Sequence, residues 1–405
     1  MIARPTPHST KSILPTFNLA IDGNEANISN RVGSNVYAFE IIKSLHHLLK
    51  NQPHVKVTVL LATKPSSELP AARANWSYLV ISPKPFWTQW ALPKHLFWHR
   101  TEYDVLFSPG HYAPRFSPVP YISSVMDLAF LKFPEAFAKK DYLQLKAWTE
   151  YSVKQAKKVV AISNFTKQEI RQAYQVTDTD IILAPPSVAP VTGRFNRHQF
   201  EKFCQKHNIA TPYILYMGTL QPRKNLVRLI EAFEQILEDV QPADTKKSSD
   251  NLADLKLVLA GKVGWLADEI LQKIQNSPVR DRIILTGFVP AQNKFALYKY
   301  AKAAVMLSSY EGFGIPALEA MQAGTIPVVA NGSSLPEVVN KAGIMVNPDH
   351  VESIANGLLQ AFYLPTTDRT ELIRLGRDQV KKFSWLKSAG TILAELAQIA
   401  KPKPE

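Results

Sequence analysis

The sequence has little cysteine, no long hydrophobic run and a deficit of negative charge. A single cysteine, Cys204, stands among 405 residues, so no internal disulfide can form and a disulfide-stapled secreted scaffold is excluded. No stretch approaches the roughly 18 consecutive apolar residues that a membrane-spanning helix needs. The first residues contain no continuous apolar segment, so we expect no signal peptide and a cytoplasmic location.

Basic residues outnumber acidic ones. The chain has 47 Lys and Arg against 34 Asp and Glu, which gives a net charge of +13. Most of this excess lies in the first 200 residues. A basic first half indicates an anionic partner, which is a nucleic acid, a phosphorylated ligand or an acidic membrane surface. Charge alone does not choose among these three.

The length and the hydrophobic pattern predict an α/β protein of at least two domains. Short, apolar, β-branched runs alternate with amphipathic stretches from end to end, which is typical of doubly wound parallel sheets buried on both faces. Thirteen strands are predicted: Asn18–Asp22, Val55–Leu61, Tyr78–Ile81, Asp104–Phe107, Tyr121–Val125, Lys158–Ile162, Asp180–Leu183, Tyr213–Met217, Leu255–Ala260, Arg282–Thr286, Ala303–Leu307, Ile326–Val329 and Gly343–Val346.

The predicted strands divide about equally around residues 185–210, where a proline-rich segment and the polar stretch after it are interpreted as a linker. We therefore predict a Rossmann-like first domain over 1–190 and a Rossmann-like second domain over 191–383. Residues 384–405 are predicted to be a C-terminal helix and tail, for which packing against the first domain is one option. Residues 241–254 form a polar insertion that we interpret as a loop. Two such domains facing each other leave a ligand cleft at the carboxyl ends of their strands.

The most informative segment follows the predicted strand Ala303–Leu307. Gly312 and Gly314 let the backbone approach a ligand closely, and Pro316 occupies a first helical position. The start of that helix offers unpaired N–H groups and the positive end of a dipole. The segment therefore suits binding of a diphosphate.

Two carboxylates frame this segment, Glu311 in the loop and Glu319 in the helix. So placed, they suit hydrogen bonds from sugar hydroxyls at the two ends of an extended ligand. An equally simple alternative is that Glu319 complements the helix dipole and Glu311 is a solvated loop charge.

A second segment follows the predicted strand Tyr213–Met217. Gly218 ends the strand, Arg223 and Lys224 come shortly after it, and Asn225 is a predicted N-cap of the next helix. An adjacent Arg and Lys are most often a solvated surface pair. At the end of a parallel strand, however, they favour phosphate binding.

These two segments resemble the donor-site signatures of the retaining glycosyltransferase family 4, whose members have the GT-B fold. The E-x7-E motif of the family falls on Glu311 and Glu319. Its G-x-x-x-x-R-K-N motif falls on Gly218, Arg223, Lys224 and Asn225. Further similarity in residues 21–37, 161–167, 285–289 and 383–385 extends the resemblance over nearly the whole chain. It is closest to bacterial mannosyltransferases of polysaccharide assembly.

The resemblance implies a catalytic set of Glu311, Arg223, Lys224 and Asp127. Arg223 and Lys224 would neutralise the donor diphosphate, a task that a metal ion performs in other transferases, so no metal is expected. Glu311 would hold hydroxyls of the donor sugar. The resemblance also implies a set of donor-binding positions: Gly33, Gly218, Phe313, Gly314, Ile315 and Glu319. Within it, Glu319 would bind the nucleotide ribose, and Gly33 would let the first domain close over the diphosphate.

One position departs from the family pattern. Many members carry a His-Asp pair after the strand that is Tyr121–Val125 here, whereas this chain has Met126 and Asp127. Methionine cannot donate the hydrogen bond that an imidazole gives to the donor sugar. For Asp127, the alternative to a catalytic role is a helix cap or a turn.

From the resemblance we expect a retaining, metal-independent hexosyltransferase of polysaccharide biosynthesis. It would move a hexose, with mannose favoured, from a nucleotide diphosphate sugar to a glycan or lipid-linked acceptor, without a cofactor. GDP-mannose is the favoured donor and UDP-glucose the alternative. Other functions stay open: a nucleotide-sugar-binding protein without transfer activity, motivated by Met126, or another GT-B enzyme such as an epimerase or phosphorylase. A nucleic-acid-binding protein would suit the net charge, but no recognition motif supports it.

Two further segments need interpretation. Residues 84–100 hold three of the seven tryptophans among basic residues. We favour core packing of a helix with a basic solvent face, and the alternative is peripheral contact with the inner face of a membrane or with a lipid-linked acceptor.

The sequence Asp178-Thr179-Asp180 spells the D-x-D metal motif of a different transferase fold. Because its strand follows rather than precedes it, we predict a turn.

Overall fold

The computed structural model describes residues 14–31, 33–110, 112–189, 196–238 and 251–400. Two parallel sheets, each with helices on both faces, form the described part of the chain. The strands are β1 (Phe17–Asp22), β2 (Val55–Leu61), β3 (Trp76–Val80), β4 (Val105–Ser108), β5 (Tyr121–Val125), β6 (Lys158–Ala161), β7 (Ile181–Leu183), β8 (Tyr213–Met217), β9 (Lys256–Ala260), β10 (Ile283–Gly287), β11 (Ala303–Met306), β12 (Ile326–Ala330) and β13 (Ile344–Val346).

Helices connect most of these strands. They are α1 (Ser34–Leu48), α2 (Leu92–Trp98), α3 (Ala129–Lys132), α4 (Lys139–Gln155), α5 (Asn164–Tyr174), α6 (Arg197–Lys206), α7 (Leu226–Glu238), α8 (Asp268–Gln275), α9 (Ala291–Tyr300), α10 (Ile315–Ala323), α11 (Leu335–Val339), α12 (Val351–Tyr363), α13 (Thr366–Val380) and α14 (Trp385–Ile399). No helix in the described ranges is long and apolar enough to cross a membrane.

Six strands have the same order in the two sheets, and the first sheet adds a seventh strand at one edge. The first sheet runs β3-β2-β1-β4-β5-β6-β7 and the second runs β10-β9-β8-β11-β12-β13, and the strand pairings are parallel. Each order reverses direction once, between β1 and β4 and between β8 and β11. Ligands of doubly wound sheets bind at such a point, outside the carboxyl ends of the strands.

The predicted fold class is confirmed, because each of the thirteen predicted strands is present within one or two residues of its predicted bounds. Several of these strands, such as β4, β5 and β12, are buried along their whole length. This burial on both faces is the reason why they appear in the sequence as continuous apolar runs.

The last helix, α14, returns to the first sheet. Its Trp385 ring lies edge-on to Tyr37 of α1, with 5.7 Å between the ring centroids. The Ser388 hydroxyl donates to the carbonyl of Pro185 at 2.6 Å. Residues of α1 and α14 share one hydrophobic cluster against the sheet. The domain boundaries at 190 and 383 stay predictions, and the first of them lies outside the described residues.

The interpretation of residues 84–100 as core packing was wrong for most of their aromatic side chains. A π-helical turn, Trp87–Ala91, leads into α2, and Trp87 packs against the first sheet with its Nε1 donating to the carbonyl of Ile81 at 3.0 Å. Phe86, Trp90, Phe97 and Trp98 are exposed instead. A helix that packs against a single sheet buries only one of its sides, so its other apolar side stays exposed.

Two smaller predictions concern loops. Asp178–Asp180 forms a 3-10 turn before β7, as predicted, and Asp178 pairs with Lys167 at 2.7 Å. Most of the polar insertion predicted at 241–254 lies outside the described residues, and its end forms the 3-10 turn Leu252–Asp254.

Candidate active site

The two segments singled out in the sequence meet at the reversal point of the second sheet. The first, 218–225, follows β8 and the second, 308–314, follows β11. These strands are neighbours in register, with Ala303 opposite Ile214. Their carboxyl ends therefore bring the segments side by side, although almost ninety residues separate them in the sequence.

Lys224 and Glu311 form the centre of this site. The Lys224 ammonium donates to Oε1 of Glu311, and the Ser308 hydroxyl donates to the same oxygen at 2.7 Å. Nη1 of Arg223 lies 3.8 Å from Oε2 of Glu311 and donates to the carbonyl of Tyr310. The backbone joins the segments as well, since the Ser309 N–H donates to the Arg223 carbonyl at 3.1 Å. Two cations thus surround one largely buried carboxylate.

The surroundings of Glu311 set its protonation state. Burial alone would raise the pKa of its carboxyl. The charges of Lys224 and Arg223, with hydrogen bonds from Lys224 and Ser308, outweigh burial and hold the pKa below its usual value. Glu311 is therefore ionised at neutral pH.

Glu319 lies on α10, the helix that follows the loop carrying Glu311. It forms an ion pair with Lys294 of α9, and the buried hydroxyl of Tyr298 donates to its Oε2 at 3.0 Å. Burial, followed by the charge of Glu319, raises the pKa of Tyr298 well above its usual value, so the hydroxyl stays protonated and keeps donating. Sequence reasoning missed Lys294 and Tyr298, because nothing in their spacing marks them as partners of Glu319.

The glycine loop before α10 provides backbone donors. Gly314 has φ = 103°, a backbone conformation that residues with a side chain rarely adopt. Pro316 stands in the first turn of α10, as predicted. The Ser334 hydroxyl donates to the carbonyls of Glu311 and Phe313 at 2.8 Å each and fixes the loop. Within the described ranges no acceptor pairs with the N–H of Phe313 or Gly314, and Ile315 begins the helix. This helix start has the features of an anion site.

Gly218 and Asn225 mark the two ends of the other segment. The Gly218 N–H donates to Ala260 at 2.9 Å, and a Cβ there would lie 2.9 Å from the Tyr216 hydroxyl. Asn225 lies directly before α7, but its side chain does not cap that helix. It donates to the Pro348 carbonyl at 2.7 Å and accepts from Arg228 at 3.0 Å. The predicted N-cap was therefore wrong in its side-chain contacts, because the Asn225 Oδ1 accepts from the Arg228 guanidinium instead of from a backbone N–H.

Asp127 reaches this site from the first domain. It follows β5, and its Oδ1 accepts from the N–H of Ala129 at 3.0 Å, which is the turn contact considered as an alternative role. It also lines a cavity of about 150 Å³ between the domains, which Arg223 and Trp265 line from the other side. Met126 is buried in the hydrophobic core next to it.

The two domains touch closely at Gly312. A Cβ on Gly312 would lie 2.0 Å from the carbonyl oxygen of Met126 and 2.9 Å from Cβ of Asp127. The Thr166 hydroxyl donates to the Gly312 carbonyl at 3.1 Å. Only a glycine allows the loop that carries Glu311 to approach the first domain this far.

Two further residues cross between the domains. The Tyr310 hydroxyl accepts from the Leu128 N–H at 3.2 Å and its ring packs edge-on against Phe165, 5.1 Å between centroids. Both carboxylate oxygens of Glu337 accept from the first N–H groups of α5, at 3.2 and 3.3 Å. A carboxylate there complements the helix dipole. Tyr310 stood inside the predicted loop, but Glu337 had no local signal.

On the side of the first domain, Gly33 precedes α1 with φ = 51°, and the space beside its Cα is open. Glu25, between β1 and α1, accepts from the side chains of Ser34 at 3.4 Å and Asn35 at 2.5 Å. Gly110, which follows β4, packs against the same side chain. Glu25 therefore lies at the reversal point of the first sheet, and the sequence analysis did not select it.

Comparison with known proteins finds similarity to glycosyltransferases. Residues 199–379 match the family described as glycosyl transferases group 1. The described part of the chain has the GT-B fold of its structural neighbours, as predicted from the resemblance.

Among the relatives, the O-antigen chain mannosyltransferase B of Escherichia coli is 29% identical over 298 residues, which are 72% of this chain and 74% of the relative. A GDP-mannose-dependent phosphatidylinositol dimannoside mannosyltransferase of Mycobacterium tuberculosis is 27% identical, over 53% of this chain and 58% of its own length. The structure of Anabaena HepE in complex with UDP-glucose aligns with a TM-score of 0.68 at 15% identity, covering 94% of this chain and all of HepE. The predicted resemblance to bacterial mannosyltransferases of polysaccharide assembly is confirmed.

Proposed function

We propose that this protein transfers a mannosyl residue from GDP-mannose to a glycan or lipid-linked acceptor, with retention of the anomeric configuration. One observation supports the proposal most. Arg223, Lys224 and Glu311 converge beside the glycine loop at the reversal point of the second sheet, where doubly wound folds bind nucleotides.

The Lys224–Glu311 ion pair is replaced by contacts with the donor when the donor binds. A donor diphosphate carries more negative charge than one carboxylate, so it competes with Glu311 for Lys224 and Arg223. Once Lys224 turns to the diphosphate, the oxygens of Glu311 are free to accept hydrogen bonds from the sugar hydroxyls. The two cations then stabilise the diphosphate as it leaves, and the proposed reaction needs no metal ion.

The other predicted positions complete the proposed donor site. The N–H groups of Phe313, Gly314 and Ile315 face the phosphates at the start of α10, and Glu319 binds the ribose. Lys294 and Tyr298 hold the Glu319 carboxylate in place for that contact. Gly33 has no side chain, so the first domain can close over the diphosphate at this position.

The proposed identity of the donor base and sugar is based on the relatives. Two of them are named as mannosyltransferases and one of these as GDP-mannose-dependent, which favours GDP-mannose. UDP-glucose is the alternative, since HepE binds it on the same fold. The acceptor enters from the first domain through the cavity that Asp127 and Arg223 line, so Asp127 lies close to the reacting hydroxyl.

Thermal unfolding with GDP-mannose, UDP-glucose, GDP and UDP tests the donor site. A ligand at 100 times its dissociation constant stabilises the protein by about 2.7 kcal/mol. We expect this shift with the guanosine ligands and its loss in the double variant Glu311→Ala, Lys224→Ala. The matched control is Glu234→Ala, Lys273→Ala, which removes another partly buried ion pair of 2.7 Å between α7 and α8 and should keep the shift. No shift with any of the four ligands contradicts the donor site.

The reaction is tested separately by NMR of the product with mannose-containing acceptors, where an α-linked product from GDP-α-mannose means retention. A β-linked product contradicts retention. Donor-induced stabilisation without product over an acceptor panel favours a nucleotide-sugar-binding protein, for which Met126 in place of the imidazole is the reason. Conversion of the donor sugar without an acceptor favours an epimerase.

A further inference from the structure

Four large aromatic side chains project into solvent from one short stretch of the first domain. They are Phe86, Trp90, Phe97 and Trp98, which are 75%, 73%, 53% and 69% exposed. We call this group the aromatic surface. Exposed aromatic side chains clustered in this way indicate a contact with another molecule.

The helical geometry shows why the aromatic surface is distinct from the core. Trp90, Lys94 and the pair Phe97 and Trp98 recur at helical spacing, so they share one side of the helix. The Phe97 and Trp98 rings pack edge-to-face, 5.6 Å apart. The opposite side is buried against the first sheet through Trp87, Ala91, Leu92 and Leu96. The helix is therefore already anchored, and its outward apolar side is available for a partner.

The charged side chains within the stretch of the aromatic surface are all basic, and Glu102, which follows it, pairs with His99 at 2.8 Å. No Asp or Glu occurs between Glu68 and Glu102. Lys84, Lys94 and Arg100 are exposed beside the aromatic rings, and the Arg100 guanidinium lies 5.2 Å from the Phe97 ring centroid. A partner that complements this surface must be both apolar and negatively charged.

We propose that the aromatic surface docks on the headgroup region of a bilayer that contains anionic phospholipid. Tryptophan and phenylalanine insert at the boundary between headgroups and acyl chains, and lysine and arginine beside them contact the phosphates. A bilayer supplies the apolar layer and the negative charge together over the whole area. The inference does not depend on the proposed transfer reaction, because no residue of the aromatic surface lies in the donor site.

Co-sedimentation with lipid vesicles tests the proposal. The full chain is mixed with vesicles of phosphatidylcholine alone or of phosphatidylcholine with phosphatidylglycerol. Each exposed cation near an anionic surface adds about fivefold to binding, so the three together predict a preference on the order of 100-fold for the anionic vesicles. Raising the salt concentration should reduce this preference. Binding should also shift tryptophan emission to shorter wavelength, since Trp90 and Trp98 leave water.

Variants distinguish the aromatic contribution from the charge. Trp90→Ser, Trp98→Ser should lower binding to anionic vesicles at least about tenfold, because two rings no longer leave water. Trp90→Phe, Trp98→Phe should keep binding but lose the emission shift. The matched control is Tyr363→Ser, an aromatic of similar exposure (53%) at the end of α12 in the second domain, which should bind like the unchanged protein.

Three results would overturn the proposal. They are no sedimentation with anionic vesicles at low salt, unchanged binding of the Trp90→Ser, Trp98→Ser variant, and equal loss in Tyr363→Ser. If the protein fails to bind vesicles while the aromatic surface mediates capture of an acidic protein, the partner is a protein and the membrane proposal is wrong. Donor-induced thermal stabilisation, measured on the same samples, shows whether a failure concerns the membrane alone or the donor site as well.

Discussion

Substitution of Gly312 by alanine tests whether the close contact between the domains matters for donor binding. The added Cβ would lie 2.0 Å from the Met126 carbonyl oxygen, whereas ordinary contacts begin at 3.4 Å. Neither the added Cβ nor the carbonyl oxygen can rotate away, since Met126 directly follows β5 and the loop is held by Ser334. The loop or a whole domain must therefore retreat by more than an ångström.

The expected cost follows from this geometry. Overpacking of a tight contact costs about 1–3 kcal/mol. Retreat of the loop also weakens the hydrogen bond from Thr166 to the Gly312 carbonyl, which is worth about 0.5–1.5 kcal/mol. If donor binding requires the domains in contact, the two terms together, about 1.5–4.5 kcal/mol, weaken donor affinity between about tenfold and about 1,000-fold.

Calorimetric titration with GDP-mannose and thermal unfolding of the Gly312→Ala variant measure this effect. The matched control is Gly332→Ala, which follows β12 and whose Cβ would meet nothing within 4 Å. We expect normal affinity and melting temperature for the control and losses in both for Gly312→Ala. If the two variants behave alike, the contact between Gly312 and Met126 does not constrain the site.

The remaining predictions concern single polar groups. Burial raises the pKa of Asp22 to about 7, so the folded protein binds a proton that the unfolded chain releases above pH 3.8. The contribution of Asp22 to stability should therefore fall as the pH rises from about 4 to 7, by up to about 1.4 kcal/mol per pH unit, and denaturant titrations of Asp22→Asn should lack this contribution to the slope. An equal slope in the variant would contradict it. Tyr310→Phe keeps the ring but leaves the N–H of Leu128 without its acceptor, and should cost about 1–3 kcal/mol in unfolding by urea. Unchanged stability would mean that this hydrogen bond contributes nothing.

The strands and the donor segments could be predicted from the sequence because their signals are local. Strands buried on both faces, such as Tyr213–Met217, appear as continuous apolar runs. The two segments that resemble donor-site signatures, 218–225 and 308–314, each directly follow such a strand. Their place at the carboxyl edge of the sheet therefore follows from the strand assignment. The motif residues Arg223, Lys224 and Glu311 converge as the fold class implies.

Contacts between distant elements could not be predicted in this way. Lys294 pairs with Glu319, and Glu337 caps α5 of the other domain, but neither pairing leaves a pattern within its own segment. The exposure of Trp90 and Trp98 was missed for a related reason. Periodicity shows that a helix has an apolar side, but it does not show how much apolar surface the neighbouring sheet can cover.

The return of α14 to the first sheet has a consequence for biosynthesis. A ribosome produces α1 early and α14 only after the whole second sheet, yet Tyr37 and Trp385 belong to one hydrophobic cluster. Domains usually fold as they emerge. Here the part of α1 that packs against α14 stays uncovered until α14 has left the ribosome, although the rest of its apolar side packs on the first sheet. That part is therefore accessible to chaperones while the second sheet is synthesised, and the first domain reaches its final packing only after the second has been made.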